Sequence, residues 1–330
     1  MTDLSRWPAL VLTAGLATRL RPLSTVRAKA ALPVAGEALV LRILRWLRAA
    51  GVTRVVLNLH HRAESITRIV GDGSALGLSV RYSWESSLLG SAGGPARALP
   101  LLEADRFLIV NGDTLADVNL NAMAAHHLDT NAQVTMAVVK GDPRYNGVVS
   151  AHGIVTGFSS RSLAPSTLAP STQAPSTLAP STLAPATVSH FIGIQAVNAS
   201  AFAGVNPDAP SETVTALYPA LIERQPGSVR VFRTAAEFFD IGTPADYLET
   251  VATLAARERT PLDRGRDCDV AAGARLERTI LWDRVTIETG VSLSNCIVTD
   301  GARVPAGAHY DRCSIVMTER GMIAEPWNLA

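Results

Sequence analysis

The chain has 330 residues, 47% of them apolar, and a formal net charge of +1. That length suits one large domain and a smaller one, and the charge balance excludes capture of nucleic acid or an acidic membrane by a global field. Three cysteines, Cys268, Cys296 and Cys313, fit a reducing compartment and not a disulfide framework. With no signal-peptide pattern and no apolar run of membrane-spanning length, the expectation is a soluble cytoplasmic protein.

In chain order, short apolar runs at Ala9–Leu12, Arg54–Leu59, Leu78–Trp84, Phe107–Val110 and Gln133–Val139 predict strands. Between the first two, Leu39, Val40, Ile43, Leu44 and Leu47 recur at helical spacing and mark one face of a helix. Alternating strands and helices predict an α/β domain with a mixed, mostly parallel sheet covered on both sides. In such sheets, ligands bind beyond the carboxyl ends of the strands.

The stretch TAGLATRLRPLSTVRAKAALP, Thr13 to Pro33, occupies such a position. Ala14, Gly15 and Ala17 are small enough to let backbone N–H groups approach a polyphosphate. Arg19 can fork onto phosphate oxygens, and Lys29 adds a mobile charge. Asn111-Gly112-Asp113 ends the fourth apolar run, and Asp240 follows Phe238-Phe239. Carboxylates at two strand ends can share one Mg²⁺ on phosphate oxygens. Thr243-Pro244-Ala245-Asp246 reads as a helix start, with Thr243 capping and Pro244 at the first position.

Residues 163–187 repeat LAPST with a proline every five residues, which excludes helix and sheet interior. Gly147–Ser150 and Ser189–Gln195 read as flanking strands, so the repeat is expected to be an expanded surface loop, either a neutral insertion or a functional tether. Gly273, Gly290 and Gly307 are spaced by 17 and align GARLERTIL, GVSLSNCIV and GAHYDRCSI. This period predicts a β-solenoid of about three coils. Thr279, Cys296 and Cys313 share one repeat position, as stacked inward-facing residues do. Such short coils expose open ends, so a homo-oligomer or docking onto the larger domain is expected. The implied organisation is 1–255, a linker at 256–266, and the coils at 267–330.

Five ordered motifs resemble the sugar-1-phosphate nucleotidyltransferases: G-x-x-T-R-L-x-P with its following lysine, LGSAGGPARAL, FLIVNGDTL, FFDIGTPADYLET, and the segment beginning NLHHRAES. The likeness spans most of the first 255 residues, and includes guanylyl-, uridylyl- and thymidylyltransferase branches. It implies a Rossmann-like catalytic domain followed by a short left-handed β-helix. It also implies Mg²⁺-dependent transfer of a nucleotidyl group from an NTP to a sugar 1-phosphate, without nucleic-acid or membrane partners. Arg19 and Lys29 would be catalytic, and Asp113 and Asp240 would hold the metal. Ala14, Gly15, Ala17, Thr18, Glu85, Gly90 and Ser91 would bind nucleotide, while Asn111, Gly147, Arg161 and Gly193 would border the sugar phosphate.

The sequence departs from the family pattern at several places. Ala17 stands where glycine is usual, so its methyl is expected to crowd the phosphate or to fix φ below zero. Ala28 and Ala30 replace prolines around Lys29, Glu37 replaces a lysine, and the E-K-P lysine is missing, leaving Arg161 as the nearest cation. These departures keep open a catalytically weakened regulatory or scaffolding homologue. Glu85 reads either as a base reader, favouring GTP over UTP or dTTP because guanine offers two donors, or as an exposed strand-end acid. His60-His61 and His126-His127 lack zinc spacing.

Overall fold

The computed structural model describes residues 2–141, 147–159 and 186–327. Nine strands form one sheet: β1 Ala9–Leu12, β2 Arg54–Leu59, β3 Ser79–Trp84, β4 Arg106–Asn111, β5 Val134–Lys140, β6 Gly147–Ala151, β7 Ile154–Ser159, β8 Thr187–Asn198 and β9 Val229–Arg233. Their order is β3-β2-β1-β4-β8-β5-β9-β7-β6. Strands β3, β2, β1 and β4 run parallel. Strand β8 is antiparallel to both β4 and β5, and β5 and β9 are again parallel. Strands β7 and β6 add antiparallel pairings at the far edge and with β8. The sheet is thus mixed, with a four-stranded parallel half instead of the mostly parallel sheet expected, and the carboxyl ends of β1, β2 and β4 open onto one edge.

The central strands are buried on both sides, which explains why they read as apolar runs and not as alternating patterns. Helix α1, Leu39–Ala49, buries the five residues that marked its face. Helices α2 Ala63–Val70, α3 Gly90–Leu102, α4 Leu120–Asp129, α5 Tyr218–Arg224 and α6 Pro244–Glu258 follow. The start of α6 matches its sequence: the Thr243 hydroxyl accepts from the Asp246 N–H, with Pro244 in the first turn. Its end lies at Glu258, inside the stretch read as linker.

The C-terminal strands stack in parallel at the 17-residue period. Asp269 pairs with Thr286 and Thr286 with Arg303; Leu276 pairs with Leu293 and Leu293 with Tyr310. This stacking is compatible with a β-helix. Cys296 and Cys313 are buried within it, and burial pushes the Cys296 thiol pKa up to about 11. The coils dock on the larger domain: Ile280, Trp282 and Ile297 belong to the same buried cluster as Leu32, Val34, Tyr247 and Leu248. Of the two outcomes expected for the open coils, docking is thus observed.

Candidate active site

A cavity of about 470 Å³ opens at the carboxyl ends of β1, β2 and β4, within the size range of small-molecule sites. Ala14, Gly15, Ala17, Thr18, Arg19, Lys29, Glu85, Gly90, Ser91, Asn111 and Asp113 all line it. Gly147, Gly193 and Asp240 are not among the lining residues. Gly193, with φ of +76°, lies directly behind Asn111: a Cβ there would sit 2.6 Å from the Asn111 amide nitrogen. Gly147 pairs with His190 of β8 instead. Arg161 and the repeat up to Pro185 lie outside the described residues.

The floor is built by close approach of strand ends. The Gly112 N–H donates to the Leu12 carbonyl, and a Cβ at Gly112 would meet that oxygen at 2.6 Å. Only glycine lets the Asn111-Gly112-Asp113 turn pass so near β1. Beyond it, Thr114–Ala116 pairs antiparallel with Phe238–Asp240, Thr114 opposite Asp240. This short ladder brings Asp113 and Asp240 together although they lie far apart in sequence.

Lys29 stands between those carboxylates. Its Nζ donates to Asp113 Oδ2 at 2.7 Å and lies 4.0 Å from Asp240 Oδ1. Burial and the neighbouring Asp113 raise the Asp240 pKa, even though Lys29 and Arg19 act in the opposite direction. Two hard oxygen donors with an unfavourable mutual charge suit a divalent cation. Among the described residues, no group of three or more His, Cys, Asp or Glu side chains is arranged to hold a metal. A cation on Asp113 and Asp240 would therefore take its remaining ligands from water or a phosphate-bearing ligand. Arg19 is exposed at the rim. Its guanidinium nitrogens lie 3.2 Å from where a Gly242 Cβ would be, just past Asp240.

Two expectations are corrected here. Ala17 has φ 48° and ψ 49°, so its methyl does not fix φ below zero; the loop holds alanine in the left-handed region. Glu85 is not an exposed acid. It is 5% exposed, its Oε1 accepts from Asn58 Nδ2 at 2.8 Å, and its Oε2 accepts from the Leu89 N–H at 3.0 Å.

The amides of α3 are also less free than the motif implies. Glu212 Oε2 accepts from both the Ser91 N–H and the Ser91 hydroxyl. The Ser211 carbonyl accepts from the Ala92 and Gly93 N–H groups. The loop before Thr213 thus takes up several of the donors that a helix amino end leaves open, so the Ser91 amide does not point freely at a ligand. Three of the four paired histidines have hydrogen-bond partners in the scaffold. His60 bonds the Glu85 carbonyl, His61 the Ser24 carbonyl, and the buried His127 lies between Thr135 and Asn198.

The nucleotidyl transferase family model matches residues 8–257. The chain belongs to this family. It is 28% identical over 317 residues to the mannose-1-phosphate guanylyltransferase of Mycobacterium tuberculosis, covering 92% of this chain and 83% of that one. It is 44% identical over 115 residues to the N-acetylmuramate alpha-1-phosphate uridylyltransferase of Neisseria meningitidis, covering 34% and 50% of the two chains. In fold it resembles HddC from Yersinia pseudotuberculosis complexed with GMP-PN, with a TM-score of 0.60 and 22% identity over 75% of this chain and 99% of that one.

Within the family domain, three residues escaped the sequence reading. Thr13 donates its N–H to Asn58 Oδ1 at 2.7 Å and its hydroxyl to the Asn58 carbonyl. Asn58 thereby ties the end of β1 to Glu85. Its signal was a polar residue breaking the apolar run VVLNL. Glu212 lies in a Pro- and Ser-containing loop and gave no local signal.

Proposed function

We propose that the protein transfers a nucleotidyl group from an NTP to a sugar 1-phosphate, giving an NDP-sugar and pyrophosphate. The observation that carries this reading is the convergence of Arg19, Lys29 and Asp113 in the cavity lining, with Asp240 beside it, 4.0 Å from Lys29 Nζ. In the reaction, a phosphate oxygen of the sugar 1-phosphate attacks the α-phosphorus in line. The new P–O bond forms as the bond to the β-phosphate's bridging oxygen breaks, and that oxygen leaves with pyrophosphate. Such reactions are accelerated by positioning and charge stabilisation. Lys29 is held in place by Asp113 and meets the negative charge that builds on the transferring group. Arg19, exposed at the rim, takes the outer phosphates. Asp113 and Asp240 would hold Mg²⁺, which when bound neutralises phosphate oxygens.

GTP is the proposed donor. Support comes from the buried Glu85 carboxylate in the cavity wall and from the guanylyltransferase relative that extends over nearly the whole chain. That relative's name makes mannose 1-phosphate the first acceptor to try. The stretch shared with a uridylyltransferase favours a second reading, in which UTP is the donor. By the same family resemblance we read the C-terminal coils as a left-handed β-helix; the open coil ends support a homo-oligomer, and the three free cysteines support a cytoplasmic protein. No described helix is long and apolar enough to cross a membrane.

The test is a matrix of five NTPs against a panel of sugar 1-phosphates, with Mg²⁺, read by pyrophosphate release and product mass. GDP-sugar formation supports the proposal, and UDP-sugar formation supports the second reading. Nucleotide binding without turnover would point to the weakened homologue.

A further inference from the structure

We propose that Asp283 and Asp300, on successive coils of the C-terminal segment, are positioning residues for Lys29, acting through Arg27. This inference rests on the nucleotidyl-transfer reading, which gives Lys29 its task. Arg27 lies two residues before Lys29 in the same loop. Its Nε and Nη2 donate to the two oxygens of Asp300 at 2.7 and 2.6 Å, and Nη2 also donates to Asp283 Oδ2 at 2.9 Å. The guanidinium also lies over the Trp282 ring, 5.2 Å from its centroid, a favourable cation–π arrangement.

The aspartates are themselves fixed by the coil period. Asp283 Oδ1 accepts the Arg266 N–H at 2.9 Å, and Asp300 Oδ1 accepts the Asp283 N–H at 3.0 Å. Each carboxylate is thus oriented by the backbone of the preceding coil, leaving oxygens facing Arg27. The same tryptophan holds the far end of the loop. Trp282 Nε1 donates to the Tyr247 hydroxyl at 3.2 Å, which donates to the Pro33 carbonyl at 2.6 Å. Lys29 therefore sits on a segment pinned at Arg27 and at Pro33. Between the pins, the Ala28 N–H donates to Ser65 Oγ, and Ala28, Ala31 and Leu32 are fully buried.

Docking alone does not call for this arrangement. Ile280, Trp282 and Ile297 already supply an apolar seam, whereas taking three charged groups largely out of water is costly unless their geometry is well satisfied. What the charged fork adds is direction: a bidentate Arg–carboxylate pair fixes orientation as well as distance. It also stiffens the segment where the prolines around Lys29 are replaced by Ala28 and Ala30.

The experiment uses the full-length chain carrying Asp283→Asn with Asp300→Asn, which keeps the carbonyl oxygens for the backbone N–H groups and removes the charge. Arg27→Gln is the second variant. Arg278→Ala is the control, because it removes a different contact of the coils with the larger domain, the Arg278–Glu249 pair. Two readouts are taken on folded protein well below its melting temperature. The first is kcat and KM in the pyrophosphate assay. The second needs no turnover: the chain has only two lysines, Lys29 and Lys140, so reductive ¹³C-methylation gives two lysine NMR signals, assigned by Lys140→Arg.

We expect kcat to fall about tenfold or more, a loss of roughly one decade of transition-state stabilisation, with KM within about twofold. The Lys29 signal should move in both test variants and stay in place in the control. If a folded test variant keeps the wild-type kcat and the wild-type Lys29 signal, the proposal is overturned. If wild type gives no product, the functional reading fails, and the Lys29 signal alone decides whether the coils position that residue.

Discussion

Asp240 pairs with Thr114, the neighbour of Asp113, on a two-stranded ladder, and the Ile241 N–H donates to the Asp113 carbonyl at 3.2 Å. The pairing forces two carboxylates together beside one ammonium. Asp113→Asn and Asp240→Asn should each lower turnover by about a thousandfold or more, the scale expected when a metal-holding carboxylate is lost from phosphoryl chemistry. Near-normal rates in both variants would remove the metal role.

Stability should move the other way. Burial and Asp113 raise the Asp240 pKa in the folded protein above its ordinary value of 3.8. A carboxyl with a raised folded-state pKa favours folding while it is protonated. That contribution is complete below the unfolded pKa and is lost as pH rises through the folded one. In metal-free buffer, Asp240→Asn should therefore gain in melting temperature relative to wild type as pH rises from 4 to 7. A difference that stays flat, or that reverses sign, would show that the Lys29 interaction outweighs the burial.

Ala17 carries a strain that one atom removes. Its φ of 48° costs a residue with a Cβ about 1–2 kcal/mol that glycine escapes. Against this stands the larger entropy of glycine in the unfolded chain. Ala17→Gly should therefore be neutral to stabilising by about 1 kcal/mol in denaturant unfolding, without loss of turnover. Clear destabilisation would mean that the methyl packs usefully against the loop.

The strands, α1 and the α6 cap were legible because they depend on local pattern: apolar runs, helical spacing and Thr-Pro capping each act over a few residues. Asp113 and Asp240 were legible as strand-end carboxylates and Lys29 as a loop cation, but joining them into one cluster leaned on family motifs, since no spacing reveals that Thr114–Ala116 pairs with Phe238–Asp240. The clamp on Arg27 was not legible. It depends on how two coils dock, and Asp283 and Asp300 look in sequence like ordinary turn acids. Glu212 was hidden for the same reason, its effect arising from where a distant loop crosses α3.

Deleting the repeat tests where the scaffold begins. Its composition can bury little, so removal of residues 163–185 should leave melting temperature and turnover near wild type. The boundary matters: Thr187 belongs to β8, and its hydroxyl accepts from Arg233 at 2.6 Å and donates to the Ser150 carbonyl. A deletion carried through Thr187 should melt lower than one ending at Pro185. Equal melting temperatures would show that this strand end contributes nothing, and a selective rise in KM for the sugar phosphate in the shorter deletion would assign the repeat to that substrate.

Base choice is the last test, and the Glu85 network shapes how it must be run. Both carboxylate oxygens already accept one hydrogen bond, from Asn58 and from the Leu89 N–H. Each has capacity for another acceptor interaction, so guanine's N1–H and N2–H₂ can be read by a carboxylate that is held rigidly in advance. In Glu85→Gln, the amide NH₂ replaces one acceptor and faces a donor, either Asn58 Nδ2 or the Leu89 N–H. The variant should therefore lose some stability as well as base contacts, and a simple fall in rate would not separate the two. The ratio of kcat/KM for GTP to that for UTP with one accepted sugar phosphate does separate them, because a general loss of active protein cancels in it. If Glu85 reads guanine, wild type should favour GTP and the ratio should fall by about tenfold to a hundredfold in the variant, the range for an unpaired buried acceptor of roughly 1–3 kcal/mol. An unchanged ratio alongside a lower melting temperature would reduce Glu85 to a brace between β2 and α3.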